Sequence, residues 1–164
     1  MSVVPGDEIE RRFLVLTDKL SEDFGEAYSY LIDQTYLSVD PWVRVRLYRF
    51  NTPKALLTVK GKGTIRRPEV NCEISFEKAQ EMWPLGKFSV HKLRHEYGQW
   101  EVDEFVGKHA GLWLAEIELK SEDEKFEKPD WLGEEVTEDL RYTNAYLAEF
   151  GLPDQKGAPA QNIR

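Results

Sequence analysis

Like-charged side chains repeatedly stand one residue apart in this chain, among them Glu8/Glu10, Arg44/Arg46, Lys60/Lys62, Lys92/Arg94 and Glu116/Glu118. Each pair lies in a stretch that alternates with a period of two. On a β-strand, residues two apart share a face and stand roughly 6.7 Å from one another. Such a pair repels itself unless opposite charge lies between its members. Paired carboxylates suit hard divalent cations, and paired bases suit phosphoryl oxygens. Placed on one enclosed surface, the two kinds of pair would hold a polyanion complexed with Mg²⁺ or Mn²⁺. The plain alternative is a set of solvated outer faces, where acidic and basic residues mix with little order because exposed charges are nearly independent.

The elements that carry these pairs read as strands. Glu8 to Val15 places Ile9, Phe13 and Val15 on one face and Glu8, Glu10 and Arg12 on the other, with Arg11 out of pattern. Polar residues 17–25 suggest a short helix or turn, and Tyr28 to Val39 is a second strand with Gln34 and Tyr36 on one face. Asp40-Pro41 turns the chain into Trp42 to Phe50, which sets Arg44, Arg46 and Tyr48 against Val43, Val45 and Leu47. Leu56 to Lys62 follows, with Thr58, Lys60 and Lys62 opposite Leu57 and Val59. Gly61 and Gly63 fit a hairpin bend better than a phosphate loop, since no helix follows them. Residues 64–74 place Arg67, Glu69, Asn71 and Glu73 on one face.

Ser75 caps a short helix carrying Phe76, Ala79, Met82 and Trp83, which Pro84 ends. Phe88 to Tyr97 carries Lys92 and Arg94 on one face and His91 and His95 on the other, which marks these histidines, like His109, as structural or surface groups. Gly98-Gln99 is a hairpin signal leading to Trp100 to Val106, with Asp103 opposite Val102. Leu112 to Lys120 puts Glu116 and Glu118 on one face. Ser121 to Glu124 reads as a capping box opening a helix, Trp131-Leu132-Gly133 as a turn, and residues from Glu138 or Thr143 to Phe150 as a last helix closed by Gly151. Eight strands with short connections imply one mainly β domain with a few helices, an antiparallel sheet that closes or folds over on itself.

Composition narrows the classes. At 164 residues the chain suits one domain over residues 1–153, with a polar tail over 154–164 expected to be disordered. A net charge of -8 argues against a basic nucleic-acid or membrane-surface binder. One cysteine, Cys72, excludes an internal disulfide framework. The absence of a charged and apolar leader and of any spanning apolar run makes the expected location the cytoplasm.

In order along the chain, Glu8-x-Glu10-x-Arg12, Gln34-x-Tyr36-Leu37, Arg44-x-Arg46, Thr58-Val59-Lys60-Gly61, Arg67-x-Glu69, Lys92-x-Arg94, Asp103, Glu116-x-Glu118 and Arg141-Tyr142-x-Asn144 resemble the CYTH superfamily, the triphosphate tunnel metalloenzymes. The resemblance implies an eight-stranded antiparallel barrel, open at both ends, with a triphosphate inside. It implies metal binding by Glu8, Glu10, Glu116 and Glu118, with Asp103 and Glu69 as additional or outer ligands. It assigns the phosphates to Arg12, Arg44, Arg46, Lys60, Arg67, Lys92 and Arg94. Two positions depart from the family pattern. Arg12 stands where Lys is usual, adding a planar fork that an ammonium lacks. Asn71 stands where a second Glu is usual, so that either Glu69 or Glu73 takes its part or one ligand is missing.

The implied activity is metal-dependent hydrolysis of a small-molecule triphosphate, inorganic tripolyphosphate first, with Mg²⁺ or Mn²⁺. Glu116 or Glu118 would stand near the water, and Lys92 or Arg94 near the scissile phosphate. Thiamine triphosphatases, RNA 5′-triphosphatases and class IV adenylyl cyclases share the tunnel, and fold does not choose among them. A polyphosphate-binding module without turnover is the reading from another class. The expected form is a monomer or homodimer.

Overall fold

The computed structural model describes residues 3–153; the tail expectation for 154–164 falls outside the described residues. Nine strands make one sheet: β1 Val3–Val15, β2 Tyr28–Val39, β3 Trp42–Arg49, β4 Lys54–Lys60, β5 Arg66–Ile74, β6 Phe88–Tyr97, β7 Trp100–Phe105, β8 Trp113–Glu118 and β9 Leu132–Glu135. Their order is β5-β4-β3-β2-β6-β7-β8-β1-β9, and β1 also pairs with β5. The sheet therefore closes into an eight-stranded antiparallel barrel, with β9 as an additional strand outside the circuit.

The length of β1 makes closure possible. Its first half, Val3 to Ile9, lies opposite Cys72 to Arg66 of β5. Its second half, Glu10 to Leu14, lies opposite Glu118 to Leu114 of β8. Where β5 has ended, β9 takes over the edge that β1 would otherwise leave bare, pairing Phe13 with Glu135 and Val15 with Leu132. The turn expected at Trp131-Leu132-Gly133 is in part this strand. Its Glu135 carboxylate meets the Arg11 guanidinium, with Nε as donor at 2.9 Å, which gives Arg11 a partner although it breaks the apolar alternation of its face.

Two apolar layers grip the wall from outside. Phe13, Trp100, Val102, Ile117 and Trp131 form one, with Phe126 packed on it. Val45, Leu47, Ala55 and Ala79 form the other, beneath α1 Phe76–Met82, whose N-cap Ser75 accepts from Lys78 N. A third layer gathers Tyr36, Val90, Phe105 and Leu114 with Ala145, Leu147 and Ala148 of α2 Asn144–Phe150. Because inward-facing Tyr36, Val90 and Phe105 meet α2 here, this helix covers part of one barrel end, which is therefore not open in the way the resemblance implied.

Two further expectations change. The strand β4 ends at Lys60, and Lys62 lies beyond it with its side chain 90% exposed, so the Lys60/Lys62 pair does not share a face. Gly63 bends the chain there at φ +143°, where an added Cβ would fall 2.0 Å from the Arg66 carbonyl oxygen; the hairpin reading of this glycine pair holds. Residues 121–124 close a turn, with Glu124 N donating to Ser121 O at 3.2 Å, and no helix follows before Pro129. The last helix is Asn144–Phe150 with Thr143 as its N-cap, the later of the two expected starts, after a 3-10 turn over Leu140–Tyr142. No helix among the described residues is long and apolar enough to cross a membrane.

Candidate active site in the barrel lumen

The face that carries the like-charged pairs points inward. Arg12, Arg44, Arg46, Lys60, Arg67, Lys92 and Arg94 come from β1, β3, β4, β5 and β6, and none is more than 7% exposed. A buried base is costly unless its charge is met. The wall meets these charges unequally.

On one side, Asp103 of β7 holds two bases at once. Lys92 Nζ donates to its Oδ2 at 2.6 Å, while Arg94 donates from Nε to Oδ1 at 2.7 Å and from Nη2 to Oδ2 at 2.8 Å. Arg94 also pairs with Glu101 at 2.6 Å. Burial raises the Asp103 pKa, but Arg94 and Lys92 outweigh it and bring it down to about 2. Burial lowers Lys92 to about 7, against the pull of Asp103 and with help from Arg94 and Arg46. Both Asp103 oxygens are engaged by bases, an arrangement that suits holding Lys92 and Arg94 better than binding a metal.

The carboxylates of β1 and β8 sit among Arg12, Lys60 and Arg67. Lys60 Nζ lies 2.6 Å from Glu8 and 3.1 Å from Glu69. Arg67 pairs with Glu8 at 3.2 Å and, through Nη2, with Glu10. Arg12 Nη2 bridges Glu10 at 2.9 Å and Glu116 at 3.1 Å, spanning two strands with one fork. Burial, then the Glu116 and Glu8 charges, raises the Glu10 carboxyl to about 7. Burial also acts against Glu116, yet Arg12, Lys92 and Arg94 hold it well below the ordinary carboxylate value. Glu118, opposite Glu10 in register, is exposed, and burial together with Glu8 and Glu69 raises its pKa.

On β3 the bases have no such partners. Arg46 donates from Nε to Gln34 Oε1 at 2.8 Å and from Nη1 to the Tyr48 hydroxyl at 3.2 Å, both neutral acceptors. Arg44 is 6% exposed, and its Nε makes no hydrogen bond. No carboxylate among the described residues pairs with it.

Side chains fill most of this space. The cavity that Arg44 lines with Arg12, Lys60, Arg67 and Asn144 is about 20 Å³, the room of a single water. A groove of about 980 Å³ runs outside the barrel along residues 134–141, and its base Arg141 pairs with Asp139. Size alone would choose that groove, but the buried, unequally paired bases are in the lumen.

The lumen thus brings together Arg12, Arg44, Arg46, Lys60, Arg67, Lys92, Arg94, Glu8, Glu10, Glu69, Asp103 and Glu116 from the residues singled out in sequence. Asn71 tethers Glu69, donating to it at 2.5 Å and accepting from Thr58 at 2.6 Å, whereas Glu73 is exposed beside Lys54. His91 meets Asp33 at 2.7 Å among exposed groups, and His95 stacks on Trp113, so both stand away from the lumen. Sequence reasoning assigned no role to Tyr48 or Asn144, although the Arg141-Tyr142-x-Asn144 motif had marked the latter. The alternation had already set Tyr48 on the face of Arg44 and Arg46 without giving it a part.

The family model described as the CYTH domain matches residues 6–148. The chain belongs to the CYTH domain family. Among curated relatives, an inorganic triphosphatase of Acetivibrio thermocellus is 42% identical over 151 residues, covering 88% of this chain and 94% of that one. An inorganic triphosphatase of Nitrosomonas europaea is 37% identical, covering 86% and 96%. Among solved structures, that of the inorganic triphosphatase NE1496 superposes with a TM-score of 0.59 at 33% identity, covering 86% of this chain and 93% of its own.

Glu8, Glu10, Glu69, Glu116 and Glu118 offer the hard oxygen donors that a divalent cation takes. Among the described residues no three acidic, imidazole or thiol groups converge into a ready cluster, because the bases hold the carboxylates. Burial first, then the neighbouring Glu116 and Glu8, raises the Glu10 carboxyl to about 7. The donor chemistry fits a divalent cation.

Proposed function

We propose that this protein hydrolyses a triphosphate in the barrel lumen, inorganic tripolyphosphate first, to pyrophosphate and phosphate. The observation that carries the reading is the Arg44 guanidinium: buried among other bases, with its Nε unbonded and no carboxylate partner among the described residues. A buried cation left in this condition is a preorganised receptor for an anion. Relatives named inorganic triphosphatase support the choice of substrate.

Arg44 and Arg46 receive phosphoryl oxygens directly. Lys60 and Arg67 must exchange their present partners, Glu8 and Glu10, for substrate oxygens, because the cavity beside them is too small to admit a phosphate otherwise. Glu8, Glu10, Glu116 and Glu118 would hold the divalent cation, Mg²⁺ or Mn²⁺, with Glu69 behind them. Such an ion supplies charge neutralisation at the phosphoryl oxygens and lowers the cost of approach by water. Water attacks the terminal phosphorus in line, the bond from that phosphorus to the bridging oxygen breaks, and pyrophosphate leaves. The proton of the water passes to a carboxylate, with Glu116 or Glu118 assigned to this task. Lys92 and Arg94, held by Asp103, face the charge that develops at the scissile phosphate.

Phosphate release from tripolyphosphate, ATP and thiamine triphosphate, with Mg²⁺, Mn²⁺ or EDTA, tests the reading alongside Glu8→Ala and Glu116→Ala. Metal-dependent release from tripolyphosphate, lost in both variants, is the expected result. Binding of tripolyphosphate without turnover under any metal would make the protein a polyphosphate-binding module instead.

A further inference from the structure

Asn144 opens α2, yet its side chain belongs to the lumen. It is 8% exposed, and its Oδ1 accepts from Lys92 Nζ at 3.0 Å. The orientation of the amide follows from chemistry, since an ammonium only donates and must face the oxygen. The amide nitrogen, with two N–H donors, is therefore directed elsewhere. No acceptor among the described residues takes it, and Asn144 lines the same cavity as Arg12, Arg44, Lys60 and Arg67. Lys92 has three N–H donors, of which Asp103 and Asn144 use two. One remains for a ligand.

We propose that Asn144 is a substrate-contacting residue that works with both ends of its amide: Oδ1 orients Lys92, and Nδ2 donates to a phosphoryl oxygen of the polyanion among Arg12, Arg44, Lys60 and Arg67. This rests on the proposed function of the lumen and adds a residue from the covering helix to its binding set. The helix then contributes a neutral donor where the barrel wall supplies charged ones. A donor without charge adds direction to a site already rich in charge, because a hydrogen bond weakens steeply off axis whereas a point charge does not.

The chemistry separates this role from a structural one. At the start of a helix an acidic side chain is well tolerated, since the first N–H groups favour negative charge. If Asn144 only begins α2, Asn144→Asp is mild. If its amide donates to a polyanion, the same change replaces a donor by a repelling acceptor and is more damaging than Asn144→Ala.

The test is calorimetric titration of the full chain with tripolyphosphate in EDTA, so that affinity is read without turnover, followed by KM and kcat with Mg²⁺. Loss of a hydrogen bond to a charged ligand should weaken binding about tenfold in Asn144→Ala. Asn144→Asp should weaken it further, although its far-ultraviolet circular dichroism matches wild type. Ala148→Gly, which loosens the same helix from its packed side, is the control for helix loss and should leave the affinity unchanged. An Asp variant that binds as well as wild type or better than the Ala variant would overturn the proposal. So would an equal loss in Ala148→Gly. Wild-type protein that binds tripolyphosphate but releases no phosphate would overturn the hydrolase reading and leave this inference to the affinities. Absence of wild-type binding in EDTA would overturn this inference, while phosphate release with Mg²⁺ decides the hydrolase reading separately.

Discussion

Arg44/Arg46 and Lys92/Arg94 are the same motif in sequence, two bases one residue apart on a strand, and the fold treats them in opposite ways. Lys92 and Arg94 close on Asp103 with three hydrogen bonds of 2.8 Å or less. Among the described residues Arg46 donates to Gln34 and Tyr48, both neutral, and Arg44 pairs with no carboxylate. One bank of the lumen is neutralised and rigid before any ligand arrives; the other keeps its charge for the ligand. The lesson is a division of labour. A phosphate site needs bases held in place, which requires fixed partners, and bases still able to attract, which requires that partners be withheld.

The sharpest way to break the comparison is Asp103→Ala. It leaves two buried bases facing each other, and removing one partner of a buried pair costs about 3–5 kcal/mol. Urea unfolding should show that loss; a change of less than about 1 kcal/mol would mean the β6 bank is not built on Asp103.

Arg44→Met should behave in the opposite sense. The variant gives up a buried charge that has no carboxylate partner, so its urea midpoint should stay level or rise, while tripolyphosphate cleavage falls by about 100-fold, the scale of one lost electrostatic contact to the reacting group. A joint fall in stability and activity would place Arg44 in the same class as Lys92.

Smaller effects probe the helix that serves the β6 bank. The Thr143 hydroxyl caps α2, accepting from Tyr146 N at 3.2 Å. Its replacement by Ala should cost about 1 kcal/mol, read as a lower thermal midpoint. His109 is buried, with Nε2 2.6 Å from the Leu147 carbonyl oxygen, and burial holds its pKa below the ordinary imidazole value. In the unfolded chain it takes its proton near about 6.5, so below that pH the unfolded state binds the extra proton. Stability should therefore be complete above about 6.5 and decline as the pH drops beneath it. Comparing urea midpoints at pH 7.5 and 5.5 measures the slope, which His109→Gln should flatten.

Much of the barrel was legible because strand alternation is local. That Glu8, Glu10 and Arg12, Arg44 and Arg46, and Lys92 and Arg94 share the faces of their strands follows from parity once each strand is recognised; that these faces point inward is decided by barrel closure. Lys62 was misplaced because parity says nothing about where a strand stops, and that is set by the backbone at Gly63 and its approach to Arg66. The strand β9 read as a turn because four residues, Leu132–Glu135, carry too little pattern, and the edge of β1 that recruits them is distant in sequence.

The sequence by itself determined the number of barrel strands, which charges share a face within each strand core and the family resemblance, since these depend on alternation, turn residues and motif order. Only the tertiary structure decided which base meets which acid: Asp103 reaches Lys92 and Arg94 across a strand pair, Arg12 spans Glu10 and Glu116, Asn144 arrives from a helix 52 residues away, and Arg44 is left with no carboxylate. Pairing across a closed barrel depends on register, stagger and the covering helix together. No single strand carries that information, because each is set by contacts between segments far apart in the chain.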